Sequence, residues 1–251
     1  MKEIVEAALE ANRREAAGES TEEFEIPRLL CVGDETTRGW LADPIGTIAT
    51  PDVVRHGAAG CAEEFDAKTE RTDLCVFAGR PTAHTADLLA TVEHPVVALY
   101  PDGEGENRLC EAVDIAIPLP ANGSGDRLEL LRRTATAVYG PTTLAVDGVD
   151  VVAYWELLRA GGRCGLFVGD GVVTAPDSVG FEHVSTERPD RVRRTFTAFR
   201  LGRETTLTEY ETLRERVPGT VADAAGRHLD AYRIDETLEP TAFRFLSIVA
   251  P

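Results

Sequence analysis

The sequence predicts an α/β fold in which a mostly parallel, doubly wound sheet domain is followed by a smaller α/β domain. Three observations point there. Short, continuous, β-branched runs recur along the first half, as strands buried on both faces do. Segments of helical composition separate those runs, which argues for parallel pairing. A stretch rich in Pro, Gly and Asn, from Pro118 to Asp126, then divides the chain, and beyond it strand and helix mix less regularly.

Residues 2 to 16 place Ile4, Val5, Ala8 and Leu9 at helical spacing among charges, an amphipathic lead helix that Gly18, Glu19 and Ser20 end. The expected strands of the first sheet are Ile26 to Val32, Leu74 to Ala78, Val96 to Tyr100 and Val113 to Leu119. Between them, Asp52 to Glu70 and Thr82 to Val92 have the composition of helices. Arg127 to Tyr139 repeats Leu128, Leu131, Ala135 and Val138 at helical spacing, and Gly140-Pro141 stops this connecting helix. Val151 to Arg159 reads as another helix, closed by Gly161-Gly162, and Arg163 to Val168 as a strand. Thr195 to Leu201 and Phe243 to Val249 are strands flanking a helix near Thr208 to Val217, whose start carries the capping pattern Thr206-Leu207-Thr208-Glu209. The expected division is a lead helix over 1–20, a first domain with its connecting helix over 21–139, and a smaller domain over 140–251.

Composition excludes several function classes. The chain has 251 residues, with 26 Lys plus Arg against 43 Asp plus Glu, a net charge of −17. Such a field repels phosphate backbones and anionic lipid, so nucleic acid is not an expected partner. Only Lys2 and Lys68 are lysines, and the carboxylates are spread along the whole chain. That pattern is similar to halophilic proteins, whose charged surface keeps them in solution. Cys31, Cys61, Cys75, Cys110 and Cys164 are odd in number and lack Cys-x-x-Cys spacing, so they read as reduced cysteines rather than a disulfide or zinc framework. No window approaches the roughly 18 apolar residues of a membrane span, and the first residues do not read as a signal peptide. The expectation is a cytoplasmic protein with no direct membrane insertion and no metal.

A parallel sheet binds ligands beyond the carboxyl ends of its strands. Three loops there are candidates. Gly33-Asp34-Glu35-Thr36-Thr37 offers one glycine beside two carboxylates. Gly79-Arg80-Pro81-Thr82-Ala83-His84-Thr85 has a proline without an N–H, and Arg80 and His84 read either as anion ligands or as the surface of a helix cap. Asp102-Gly103-Glu104-Gly105-Glu106-Asn107-Arg108 reads alone as a solvated acidic turn. Asp147 and Asp150 stand three apart at a loop-to-helix junction; capping the helix explains one acid but not both. His56, His94, His183 and His228 lack partners at metal-ligand spacing, and Ser124 lacks a nucleophile-elbow frame.

The Asp147/Asp150 pair, with the following helix, Gly161-Gly162 and strand, resembles the synergy loop of the FtsZ/tubulin superfamily, although Ala145 stands at the family's Asn position. Other pieces follow the family's order. Leu29 to Gly33 resembles its first strand and glycine loop, and Thr72 to Gly79 the strand before its signature. Glu104-Gly105 and Arg108 resemble its nucleoside-contacting Glu-Gly and Arg, Val113 to Pro118 the next strand, Thr206 to Tyr210 a turn into a helix, and Phe245 to Val249 the closing strand. This resemblance implies a Rossmann-like, GTPase-like domain and a smaller α/β domain, with GTP as the ligand of a site at Gly33, Gly79, Arg80, Thr82, Glu104 and Arg108. It implies that Asp147 and Asp150 act catalytically on the nucleotide of a neighbouring subunit.

The departures carry their own implication. The family's Gly-Gly-Gly-Thr-Gly-Thr-Gly is replaced by residues 79–85, and acids stand beside Gly33. A haloarchaeal FtsZ-like protein with a degenerate nucleotide site is expected, with weak or no GTP binding and no certain cofactor. It would associate with FtsZ/tubulin-like subunits, its own or another's, in cell division or cytoskeletal regulation. Two rivals stand beside it: an active GTPase with a non-standard phosphate site, and an unrelated small-molecule α/β enzyme on a similar fold.

Overall fold

The computed structural model describes residues 29–33, 52–55, 65, 74–102, 106–120, 134, 137, 154, 156, 157, 159, 162–175, 179–186, 192–221 and 227–251. The lead helix, the junctions at 20/21 and 139/140, and the acids Asp147 and Asp150 lie outside them.

The first sheet contains β1 (Leu29–Gly33), β2 (Asp52–Arg55), β3 (Leu74–Ala78), β4 (Val96–Pro101), β5 (Ile115–Leu119) and β6 (Gly162–Arg163), in the order β2-β1-β3-β4-β5-β6. Every pairing in it is parallel. Its connections include helices α1 (Ala83–Leu89) and α2 (Glu106–Ala112). The second sheet contains β7 (Gly165–Val172), β8 (Gly180–His183), β9 (Arg194–Leu201), β10 (Arg227–Ile234) and β11 (Ala242–Ala250), in the order β10-β9-β11-β7-β8. Here β9 and β10 run parallel and the other pairs antiparallel. Helix α3 (Leu207–Val221) joins β9 to β10.

The continuous apolar runs are strands buried on both faces, because the period of two sends alternate residues into two cores. Leu74, Val76, Val97, Leu99, Ile115 and Ile117 share one core with Leu166, Phe196, Leu246 and Ile248 of the second sheet. Tyr154, in a helical stretch, belongs to the same core, its ring 4.8 Å from that of Phe196. Cys75, Phe77, Ala98 and Tyr100 face the other way, onto Leu30, Phe65, Leu89 and Leu109. The far side of the second sheet packs Phe199, Phe243, Phe245 and Val249 beneath Tyr210, Leu213 and Val217 of α3.

Several expectations need correction. Asp52 to Arg55, expected to begin a helix, is the edge strand β2, and Val53 and Val54 pair with Cys31 and Val32. Two β-branched valines beside an open sheet edge suit that conformation better than a helix. Helix α3 runs past Val217 through Pro218 to Val221, so one intrahelical donor is lost near its end. Strands β8 and β10 were not expected. β8 is exposed throughout, and β10 mixes arginines, a histidine and an aspartate with apolar residues on both faces, so neither shows the usual buried pattern.

Two of the helices are capped as their sequences allow. Thr82 and Thr85 form a reciprocal capping box at α1. At α3 the Thr206 N–H donates to Glu209 Oε2 at 2.8 Å, and the Glu209 N–H to Thr206 Oγ1 at 3.3 Å.

Candidate functional site

The chain passes from β1 outward to β2, then returns across β1 to β3 on its other side. Connections therefore diverge at the carboxyl ends of β1 and β3, the place where an open parallel sheet leaves a crevice for ligands. Gly33, the buried last residue of β1, pairs in register with Ala78 of β3, so Gly33 and Gly79 stand side by side at this crevice. Next to them is the end of β4, where Ala78 pairs with Leu99.

Gly79 has φ of +146°, a conformation only glycine adopts readily. It turns the chain from β3 into the exposed Arg80, then Pro81 and Thr82 at the start of α1. The sequence thus brings four of its expected site residues, Gly33, Gly79, Arg80 and Thr82, to one end of one sheet. Arg108 is exposed in the first turn of α2, the helix that follows β4. Glu104, like Asp147 and Asp150, lies outside the described residues.

The backbone donors of this turn are largely committed to the protein. The Gly79 N–H donates to the Leu99 carbonyl at 3.1 Å and the Ala86 N–H to the Thr82 carbonyl at 3.1 Å. The Thr82 N–H donates to Thr85 Oγ1 at 3.2 Å, and the Thr85 N–H to Thr82 Oγ1 at 3.1 Å. Pro81 has no N–H. The amides of Gly79, Thr82, Thr85 and Ala86 are thus taken up within the protein. A phosphate needs several converging donors. The sequence could show the missing glycines and the proline; that the two threonines bond each other became visible only in the structure.

Charge around the crevice is mixed. Asp102, exposed just past β4, has its Oδ1 3.7 Å from Nη2 of Arg163, and its N–H donates to the Leu119 carbonyl at 2.8 Å. The carboxyl group of Asp114, raised above its ordinary range by burial, lies at the opposite end of the sheet, where its Oδ2 accepts the Val96 N–H at 2.8 Å. It ties β4 to the turn before β5 and is remote from the crevice. Burial pushes the Cys75 and Cys164 thiols up to about 12, so both stay protonated and unreactive. Among the described residues, no group of three or more His, Cys, Asp or Glu side chains is arranged to hold a metal ion. None of the described helices is long and apolar enough to cross a membrane.

The sequence matches no protein-family model and no curated protein. The fold is nonetheless similar to solved structures. The FtsZ dimer of M. jannaschii superposes with a TM-score of 0.68 at 16% identity, over 96% of this chain and 92% of that one. The GTPγS-bound protofilament of CetZ2 from Haloferax volcanii gives 0.54 at 13% identity, over 88% and 92% of the two chains. The GDP-form protofilaments of TubZ from Bacillus thuringiensis serovar israelensis give 0.56 at 10% identity, over 96% and 89%. The chain has an α/β fold of the FtsZ/tubulin type, a parallel sheet joined to a second, smaller mixed sheet.

Proposed function

We propose that this chain is an FtsZ/tubulin-like protein with weak or no GTP binding of its own, which associates with FtsZ-type subunits in cell division or cytoskeletal regulation. One observation carries the reading: the strand order has its switch point between β1 and β3, while the turn after β3 commits amides to Leu99 and to the Thr82/Thr85 capping box. A ligand phosphate drawing on the amides of Gly79, Thr82, Thr85 or Ala86 would have to displace those bonds. Structural neighbours that occur as a dimer and as protofilaments support self- or hetero-association as the mode of action.

In this reading Asp147 and Asp150 serve a neighbouring subunit, positioning the attacking water beside its phosphate. The chain then offers acids to one neighbour while holding little nucleotide itself. On the same reading residues 1–20, 21–139 and 140–251 would be its lead helix, GTPase-like domain and smaller domain, the last lending β6 to the first sheet. It works in the cytoplasm of a salt-rich cell, as the −17 charge supports.

Cosedimentation with FtsZ of the same organism in high salt tests the association. The pelleted fraction of FtsZ should change with the ratio of the two proteins; an unchanged pellet at every ratio overturns the reading. The exposed guanidinium groups of Arg80 and Arg108, on the ligand side of the sheet, favour a second reading as a GTPase with an unusual phosphate site. Calorimetry separates the two: saturable GTP binding at micromolar concentration supports the GTPase, and none at millimolar concentration removes it.

A further inference from the structure

Pairing registers place three arginines in one row across the second sheet. Arg233 of β10 faces Arg200 of β9, and Arg200 faces Arg244 of β11. The row continues the face on which Ala231, Ala198 and Leu246 enter the core shared with the first sheet. It lies at the end of that face where burial gives way to exposure, with Arg200 and Arg233 half-buried and Arg244 exposed.

Like charges directly opposite each other destabilise a sheet. In a chain with 43 acidic residues, carboxylates to balance them are abundant, yet only the central member is paired: Arg200 Nη2 holds Asp235 Oδ2. The Arg200 Nε–H is buried without a hydrogen-bond partner. Among the described residues, neither Arg233 nor Arg244 has a carboxylate within ion-pair distance. Asp170 faces Arg244 in register but makes no such pair. Burial, then the neighbouring charge of Arg200, holds the Arg233 guanidinium below its ordinary pKa. Asp235 offsets part of this charge, but one carboxylate stands against three guanidinium groups, an imbalance that an added anion would relieve.

We propose that Arg233, Arg200 and Arg244 form a binding site for a multivalent oxyanion, a phosphate chain or a polycarboxylate, laid across three adjacent strands. The outer two strands are two spacings of roughly 4.8 Å apart, so the row suits an elongated ligand. Planar guanidinium groups match such oxygens two at a time. Glu204, Glu236 and Glu239 stand exposed on the turns beyond β9 and β10 and repel anions, so the row favours a ligand long enough to engage several guanidinium groups at once. The site is separate from the crevice of the first sheet and does not depend on the function proposed above.

Titration calorimetry of the full chain at fixed ionic strength tests it, with inorganic triphosphate and citrate as probes. The expected result is one saturable site per chain, weakened about tenfold or more in Arg233→Gln/Arg244→Gln and partly kept in Arg233→Lys/Arg244→Lys. Binding of one probe alone supports the site and identifies its chemistry. No saturable binding of either probe overturns it. Equal binding by wild type and double variant also overturns it, since the anion then sits elsewhere. Thermal melting checks that the variants fold, and exposed Arg244→Gln alone provides the comparison if the double variant does not.

Discussion

The two sheets solve burial differently. In the first, β3 and β5 are buried along their whole length and β4 along all but its last residue, because the strands lie between two cores. In the second, β9 and β11 alternate between a face toward the first sheet and a face beneath α3, and both edge strands keep much of their surface in solvent. The first sheet is thus a frame covered on both faces. The second carries polar side chains across its width, on the row of arginines on one face and around Asp230 on the other.

That second polar group shows how deeply charge enters the smaller domain. Asp230 accepts a hydrogen bond from the Tyr210 hydroxyl, and its Oδ1 lies 2.7 Å from Arg214 Nε; its side chain is 6% exposed. In the same register row, Thr197 Oγ1 lies 2.7 Å from Ser247 Oγ. Helix α3 is therefore held to the sheet by polar contacts at one edge and by aromatic packing elsewhere, including Phe199 against Tyr210 at 5.8 Å.

Core truncation gives the largest contrast. Phe77→Ala, at a fully buried position of β3, should cost about 3–5 kcal/mol in urea unfolding. Phe181→Ala, on the exposed edge strand β8, should cost about 0.5 kcal/mol or less. Similar losses at both sites would break the distinction between frame and edge. Gly202→Ala comes next, at roughly 1–3 kcal/mol, because its new methyl group meets the backbone carbonyls of Glu239 and Pro240, which cannot step aside as a side chain could. Thr82→Ala follows at about 1 kcal/mol, read in the same unfolding experiment, from loss of the α1 cap. If the cap is what withholds amides from the crevice, this variant should also bind GTP more tightly than wild type in calorimetry; weaker or unchanged binding argues that the cap is not the obstacle.

The smallest effect concerns pH. Burial lowers the His228 pKa, and the Asp230 carboxylate 3.9 Å from its Nε2 only partly offsets this. The fold therefore prefers neutral His228, while the unfolded chain takes up a proton near its ordinary value of about 6.5. The contribution of His228 to stability is full above that pH and declines as pH falls through it. Melting temperatures of wild type should drop faster than those of His228→Gln between pH 7 and 5; parallel curves would rule this out.

What the sequence made legible follows the same division. Residues 74–78, 96–100 and 115–119 are uninterrupted apolar runs, and a parallel sheet flanked on both faces is the arrangement that buries them. The second sheet was legible only where it is most apolar, in β9, β11 and the first part of β7. In β10, Arg227, His228, Asp230 and Arg233 hide an alternation that exists but is half polar on each face. Without β10 no register could be drawn, so the arginine row was invisible although every arginine was in plain view. At the crevice, the glycines marked the turns, but the Thr82/Thr85 bond depends on backbone geometry that residue types alone do not specify.

Strand β11 lies between β7 and β9, although some seventy residues of chain separate it from β7. During synthesis, β7 and β9 therefore wait for a common neighbour that leaves the ribosome long after them. The first sheet closes over its longest gap, from Leu119 to Gly162, whereas pairing β11 with β7 closes the longer loop from Val172 to Ala242. The second sheet should accordingly be the slower one to form, and its β9 edge is what a chaperone would have to guard in the interval.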